Sequence, residues 1–379
     1  MIPSALQGKA FMKHTVKIAL ITGYLGAGKT TLLNHILANT DGIRAAVIVN
    51  DIGEVNIDAE LVEKSGAVER TDMVPLMNGC ICCTLKDDLA DGLRRLAASK
   101  KFDYIIIEAS GICEPLPIAH TIATICEEST KGGVPLVLDN IIAVVDAKRM
   151  KDEFEDGKKL LAENIDEDDI ESLLIQQVEF CSTVILNKSD LVPQVNLDEL
   201  KAIIRSLQKE AVIFEAKNCD LPITDILNTG RFDLDKAVTS AAWLDALEHP
   251  EEHENPEVLE YGIQTFVYYR RQPFDLGKFN KIREWFTGVI RSKGMLWFKE
   301  DPKMAYILSQ AGRQIELEEG GMFVAAAPKL KQTQMLNKYP EIKETWDPKY
   351  GDRMIKLVFI GQDLDKDDIV KTLDGCLTE

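Results

Sequence analysis

The chain has 379 residues, 45% of them hydrophobic and 28% charged; at roughly 150 residues per domain that is too long for a single ordinary domain, and the apolar content excludes global disorder. A formal net charge of −18 argues against an electrostatic grip on nucleic acid or anionic lipid, both of which need a surplus of Lys and Arg. No apolar run reaches the ~18 residues of a membrane span, the N-terminus lacks the apolar core and cleavage site of a signal peptide, and the eight cysteines include three set too closely for a disulfide framework; a reducing, cytoplasmic location without membrane contact is expected.

In chain order, Met1 to Phe11 carry no strong pattern, and Met12-Lys13-His14 leads directly into a strand-like run at residues 16–22. Further apolar runs follow at 45–50, 104–108, 141–146, 183–187 and 212–215, alternating with helical stretches. This is the rhythm of parallel strands joined by crossover helices, and near-continuous apolar runs indicate strands covered on both faces. The predicted class is α/β: a doubly wound, mostly parallel sheet followed by a smaller α+β domain.

Gly23-Tyr24-Leu25-Gly26-Ala27-Gly28-Lys29-Thr30 matches the phosphate-binding loop G-x-x-x-x-G-K-[ST], between the first strand and a helix opening Thr31-Leu32-Leu33. Gly23, Gly26 and Gly28 let the backbone curl so that several N–H groups, including those of Ala27 and Thr31, face phosphate at a helix N-terminus. Lys29 is expected to reach the β and γ phosphates and the Thr30 hydroxyl to take a place on Mg²⁺. Asn50-Asp51-Ile52-Gly53-Glu54 follows the second run and is expected to lie in a segment that senses the γ phosphate.

Asn78-Gly79-Cys80-Ile81-Cys82-Cys83-Thr84 places three thiols within four positions. In an extended segment Cys80 and Cys82 point the same way, and Cys83 joins them if the chain curls into the helix that follows. Three thiolates leave one tetrahedral position, for which Glu54 is the candidate; Zn²⁺ suits such a site and Co²⁺ is permitted by the same donors. The remaining cysteines, Cys113, Cys126, Cys181, Cys219 and Cys376, are scattered and read as packing.

Glu108 ends the third run and precedes Ala109-Ser110-Gly111. A carboxylate there can orient the magnesium hydration shell, and Gly111 allows backbone approach to the γ phosphate. Asn187-Lys188-Ser189-Asp190 follows the fifth run, where a base-recognition loop belongs. Asp190 can accept from guanine N1–H and the 2-amino group, neither of which adenine offers, so guanine is the preferred base. Asn187 can brace the phosphate loop, the Lys188 stem can lie along the base, and Glu215-Ala216-Lys217 can complete the pocket.

Residues 229–260 are acidic and proline-broken, with His249 and His253 four apart; they read as a linker between a nucleotide domain at 14–228 and a C-terminal domain at 261–379. Within the latter, 261–270 is strand-like, Phe279, Ile282, Trp285, Phe286 and Val289 recur at helical spacing, and a strand at 355–360 precedes an acidic-capped helix from Asp365.

With these residues in place the chain resembles the CobW family of P-loop GTPases, including its zinc metallochaperone members. The likeness runs in the family's order through Gly23–Thr30, Asn50–Glu54, Cys80–Cys83, Glu108–Gly111 and Asn187–Asp190, and continues in Arg271-Gln272-Pro273-Phe274-Asp275 and Arg291–Phe298. It implies a GTPase, converting GTP and water to GDP and phosphate, whose metal site and nucleotide switch are coupled and which delivers a transition metal to an apo-metalloprotein client. Val49 stands where some relatives carry glutamate, and the histidine-rich loop of others is reduced to His249 and His253; both favour one tight site over storage. Two alternatives share these motifs: an assembly factor handling cobalt, nickel or iron, and a signalling switch with structural cysteines. No glutamine or arginine finger is identifiable in the sequence, so turnover is expected to be slow until metal, homodimerisation or a client completes the site. Met12 is the expected natural start, and intact-mass measurement of the protein made from its native gene should return a species beginning there.

Overall fold

A computed structural model describes residues 15–38, 43–50, 73–76, 86–111, 115–130, 133–155, 168–233, 246–247, 260–282, 286–312 and 314–378. They fall into two compact units, one drawn from Met1–Asp146, Cys181–Lys188 and Phe214–Leu234, the other from Ala147–Phe180, Ser189–Ile213 and Asp235–Glu379.

The first unit is built on β1 (Val16–Thr22), β2 (Ala45–Asn50), β3 (Met73–Leu76), β4 (Tyr104–Glu108), β5 (Leu136–Asp146), β6 (Thr183–Asn187) and β7 (Val212–Ala216), in the spatial order β3-β2-β4-β1-β5-β6-β7. The pairings from β3 through β6 are parallel. Helices α1 (Lys29–Ala38), α2 (Lys86–Ser99) and α3 (Pro115–Thr130) supply crossovers. Every residue of β4 and β6 is buried, as expected of strands covered on both faces. Leu32, Leu33 and Ile36 of α1 pack with Ile21, Ile106, Ile142, Val144 and Ile185, so the helix carrying Lys29 is fixed to the sheet by its apolar side.

Two features depart from the sequence pattern. β3 is a four-residue edge strand containing Pro75, a residue that sheets tolerate at an edge and that hides the strand from a propensity reading. β5 begins at Leu136 rather than at 141, because the polar pair Asp139-Asn140 interrupts its apolar run. The register shifts there, Ile18 facing Leu138 and Ala19 facing Asn140, so Asp139 is the extra residue of a bulge. Its buried carboxylate accepts from the Tyr104 hydroxyl (2.5 Å) and from the Thr229 and Gly230 amides (3.0 and 2.9 Å), while its carbonyl accepts from the Phe232 amide. Asn140 Nδ2 donates to the Ile226 carbonyl at 2.8 Å. Residues 226–232 are thus tied to β5 by hydrogen bonds to its buried polar groups.

The second unit contains α4 (Ala147–Glu155), α5 (Asp168–Glu179), α6 (Gln194–Leu207) and an antiparallel sheet of β8 (Ile263–Arg270), β9 (Val289–Phe298), β10 (Asp301–Ala311), β11 (Gln314–Met322) and β12 (Ile355–Gln362), ordered β11-β10-β9-β12-β8. Short helices α7 (Leu276–Phe279), α8 (Lys329–Lys338), α9 (Pro340–Glu344) and α10 (Lys366–Gly375) complete it. α10 starts where expected: Asp365 caps it by accepting from the Asp368 amide at 3.0 Å. Ile369 and Leu373 bury against Phe266, Tyr268, Leu357 and Phe359, with Phe266 and Phe359 stacked at 5.1 Å.

Among the described residues, the helix expected from the spacing of Phe279 to Val289 is not formed as such; Trp285 lies outside them. α7 ends at Phe279, and Val289 opens β9. The chain turns at Gly288 (φ +83°), where a Cβ would lie 2.3 Å from the Gln362 carbonyl oxygen. Phe279, Ile282 and Phe286 still pack into the aromatic core, which accounts for their apolar recurrence without a continuous helix.

Among the described residues, the largest fully buried side chain of this unit is Arg291, on β9. Its Nε and Nη2 donate to the two carboxylate oxygens of Glu179 on α5 at 2.6 and 3.2 Å, and Nη1 donates to Ser309 Oγ and the Gln310 carbonyl. With side-chain exposures of 2% and 0%, removing one partner leaves an uncompensated buried charge. Arg291→Ala is expected to lower the unfolding free energy by about 3–5 kcal/mol in chemical denaturation, and the double replacement Arg291→Met with Glu179→Leu to restore most of the loss.

Candidate nucleotide-binding site

The loop between β1 and α1 is curled as its glycines predict. Gly23 (φ +143°) passes so near β5 that a Cβ would stand 2.2 Å from the Val144 carbonyl oxygen. Gly28 (φ +116°) faces Asn187, and a methyl there would sit 2.5 Å from Asn187 Nδ2. Neither position can carry a side chain without displacing backbone or breaking a side-chain bond. Ala27 is buried, Gly26 has φ +75°, and Thr31 is exposed in the first turn of α1. Lys29, the first residue of α1, is buried and folds back over the loop, donating to the Gly23 carbonyl at 2.8 Å and the Tyr24 carbonyl at 3.3 Å.

Thr30 Oγ1 donates to Glu108 Oε1 at 3.3 Å, and Glu108 is 1% exposed at the end of β4. A hydroxyl and a carboxylate brought together beside a phosphate loop are hard oxygen donors of the kind Mg²⁺ takes, so these residues fit the ion. Gly111 lies against the phosphate loop itself, where a Cβ would come within 2.9 Å of the Leu25 amide nitrogen. This close approach to Leu25 also calls for a glycine at residue 111.

Asn187 closes β6, 2% exposed. Its Nδ2 donates to the Ala27 carbonyl at 2.8 Å, and its Oδ1 accepts from the Cys219 amide, also at 2.8 Å. The expected brace on the phosphate loop is present, and the same amide reaches the loop after β7. Lys188 adopts φ +59° and its ammonium meets Asp146 Oδ2 at 2.5 Å. Asp146 faces Asn187 across the β5–β6 ladder and escaped the sequence reading because it looks like an ordinary strand-end acid. Asp190 is exposed in a 3₁₀ turn, Ser189–Leu191. Ala216 ends β7 and is buried in the core of the sheet.

Cys219 packs in the core of the sheet as expected, and it also makes polar contacts. It is 1% exposed, its Sγ lies 3.4 Å from the Gly28 carbonyl oxygen, and its own carbonyl meets His35 Nδ1 at 3.2 Å. Burial pushes its thiol up to about 12, and that of Cys126 up to about 11, so both stay protonated near neutrality. Cys181 and Cys376 are buried as expected. Cys80, Cys82, Cys83, Glu54, Cys113, His249 and His253 lie outside the described residues. Among the described residues, no group of three or more His, Cys, Asp or Glu side chains is arranged to hold a metal, and no helix is long and apolar enough to cross a membrane.

A parallel sheet with a curled glycine loop, a buried lysine and a threonine–glutamate pair at the strand ends defines a P-loop nucleotide-binding protein. Residues 17–215 match the CobW/HypB/UreG nucleotide-binding domain and residues 263–377 the cobalamin synthesis protein CobW C-terminal domain; the chain belongs to the CobW/HypB/UreG family. It is 37% identical over 380 residues to zinc-regulated GTPase metalloprotein activator 1 of Dictyostelium discoideum, covering 95% of this chain and 79% of that protein. It is 33% identical over 260 residues to the zinc chaperone CobW of Sinorhizobium, covering 66% of this chain and 73% of the relative. The solved Zn(II)-bound YjiA GTPase of Escherichia coli is 21% identical with a TM-score of 0.41, covering 96% of this chain and 99% of that one.

Asn187→Ala would orphan the buried Ala27 carbonyl and Cys219 amide together. The expected outcome is a loss of ~3 kcal/mol in unfolding free energy and weaker guanine-nucleotide binding, read by denaturation and by displacement of a fluorescent GDP analogue.

Proposed function

We propose that this protein is a Mg²⁺-dependent GTPase that works as a zinc metallochaperone, coupling its nucleotide state to capture of zinc and its transfer to an apo-metalloprotein client. The observation that carries the reading is the coincidence, in one braced loop, of Lys29, the Thr30–Glu108 pair and Asn187, in a chain whose relatives are named zinc-regulated GTPase and zinc chaperone.

In this reading Lys29 exchanges the Gly23 and Tyr24 carbonyls for the β and γ phosphates of GTP, a trade of neutral acceptors for anionic ones that favours the loaded state. Gly23, Gly26, Ala27, Gly28, Thr30 and Thr31 contribute the cradle, with N–H groups directed at the phosphates from the start of α1. Thr30 and Glu108 would hold magnesium, which when bound neutralises charge developing on the β and γ oxygens. Asp190 accepts from the guanine N1–H and 2-amino groups, Asn187 and Lys188 support the base side, and Gly111 keeps the segment after β4 against the loop. Attack on the γ phosphate is by water, with positioning and electrostatics supplying the rate.

Zinc is cargo here, held by Cys80, Cys82 and Cys83 with Glu54 as the fourth ligand. Glu54 follows β2 in the segment expected to respond to the γ phosphate, so GTP and GDP would set a zinc ligand differently. We assign the nucleotide domain to residues 14–228, the connector to 229–260 and the C-terminal domain to 261–379, in a cytoplasmic protein able to form homodimers.

Zinc titrated into the nucleotide-free, GDP-loaded and GTP-analogue-loaded protein should give dissociation constants that differ between states by about fivefold or more, the range of ordinary coupling between sites. Equal constants in all three overturn the coupling. Replacing Cys80, Cys82 and Cys83 together by serine should abolish stoichiometric zinc while GTP binding persists; unchanged metal content overturns the ligand assignment.

A further inference from the structure

The loop after β7 is held in an unusual conformation. Asn218 and Cys219 are consecutive non-glycine residues in the left-handed region, at φ +52° and +54°. Asparagine visits that region readily, but cysteine has no side-chain acceptor to compensate, and such a pair persists only where its surroundings impose it. Three contacts do so here. The Cys219 amide donates to Asn187 Oδ1 at 2.8 Å, the Cys219 thiol points at the Gly28 carbonyl, and the Cys219 carbonyl meets His35 Nδ1 at 3.2 Å.

The His35 contact fixes a proton. A carbonyl only accepts, so the ring nitrogen facing it carries the hydrogen and donates. His35 lies in the last turn of α1, the helix whose first residues are Lys29 and Thr30. Its ring therefore ties the loop after β7 to the body that carries the phosphate loop, while Asn187 ties it to the end of β6. The loop after β7 thereby meets Asn187 at the carboxyl end of β6 and the loop leaving the carboxyl end of β1, two strands of the parallel sheet, and open α/β sheets place their ligands at such ends. Asn187 and Gly28 serve the phosphate loop directly; the His35 ring makes its polar contact with the strained loop.

We infer that His35 is a positioning residue for base recognition, holding Lys217, Asn218 and Cys219 in the conformation that receives guanine. This rests on the GTPase reading above and goes further, by naming a residue away from the recognition motifs that sets nucleotide preference through the shape of a neighbouring loop. A base-side loop and a phosphate loop fail differently. A defect in the phosphate loop weakens every nucleoside triphosphate alike, whereas a displaced base-side loop penalises GTP and leaves ATP, which gains nothing from that loop, nearly untouched.

The test measures kcat and KM for GTP and ATP in the full-length wild type and in His35→Leu, which keeps the bulk without a donor, and His35→Asn, whose amide nitrogen stands where Nδ1 does. Melting temperatures accompany each variant. His35→Leu should raise KM for GTP roughly tenfold, the worth of one well-formed hydrogen bond. Its kcat should stay within about threefold and the GTP-to-ATP preference in kcat/KM should fall about tenfold, following KM. His35→Asn should recover most of that preference. An unchanged GTP-to-ATP preference in His35→Leu, or equal loss in the leucine and asparagine variants, overturns the assignment. If the wild type shows no preference for GTP, the GTPase reading falls and this assignment falls with it.

Discussion

A single carboxamide organises the first unit. The Asn187 amide nitrogen donates to the Ala27 carbonyl and its oxygen accepts from the Cys219 amide. Each of those backbone groups lies in a loop that leaves a strand end with no ladder partner of its own. Buried backbone polar groups must be matched, so the geometry of two loops is settled by one residue at the tip of β6. The packing around Gly28 follows from this, because the amide occupies the volume a side chain at residue 28 would need. Asparagine is the fitting choice: aspartate lacks the donor and leucine lacks both functions at similar size.

The phosphate loop was legible because its chemistry is local. Glycine spacing, the lysine and the threonine lie within one turn-and-helix unit, and the flanking apolar run announces the strand. Strands β4 and β6 are likewise legible, being buried throughout, as is β1, buried at all but Lys17. What escaped the pattern has identifiable causes. β3 is short and carries Pro75; the apolar run of β5 is interrupted by Asp139 and Asn140, which bond to residues 226–232; and the hairpin of β10 and β11 includes a strand, Gln314–Met322, that is largely exposed and acidic. The recurrence of Phe279, Ile282, Phe286 and Val289 reported a shared core correctly but the wrong backbone, since a short helix, a glycine turn and a strand can feed the same cluster. Asp146, His35 and Cys219 carry no local signature: their contacts depend on which strand tips become neighbours.

The second unit illustrates a different balance. Its aromatic face, from Phe266 to Phe359, is held by area and stacking, and tolerates conservative exchange. The Arg291–Glu179 pair is intolerant of single changes, yet its net contribution relative to apolar residues is small. What such a pair supplies is uniqueness. A guanidinium with partners on α5 and β10 admits one register between helix and sheet, where a purely apolar contact would accept several.

The bulge at Asp139 has a mechanical consequence. The chain leaving the nucleotide fold is moored at residues 226–232 to the base of β5 by several hydrogen bonds in parallel, at the strand end opposite the phosphate loop. Tension or slack in the polypeptide beyond that mooring is borne by Asp139 and Asn140, and does not propagate along the strand to Val144 and Gly23. The chain beyond residue 232 can therefore lengthen, shorten or change composition over evolutionary time while the curvature that cradles phosphate stays insulated from it.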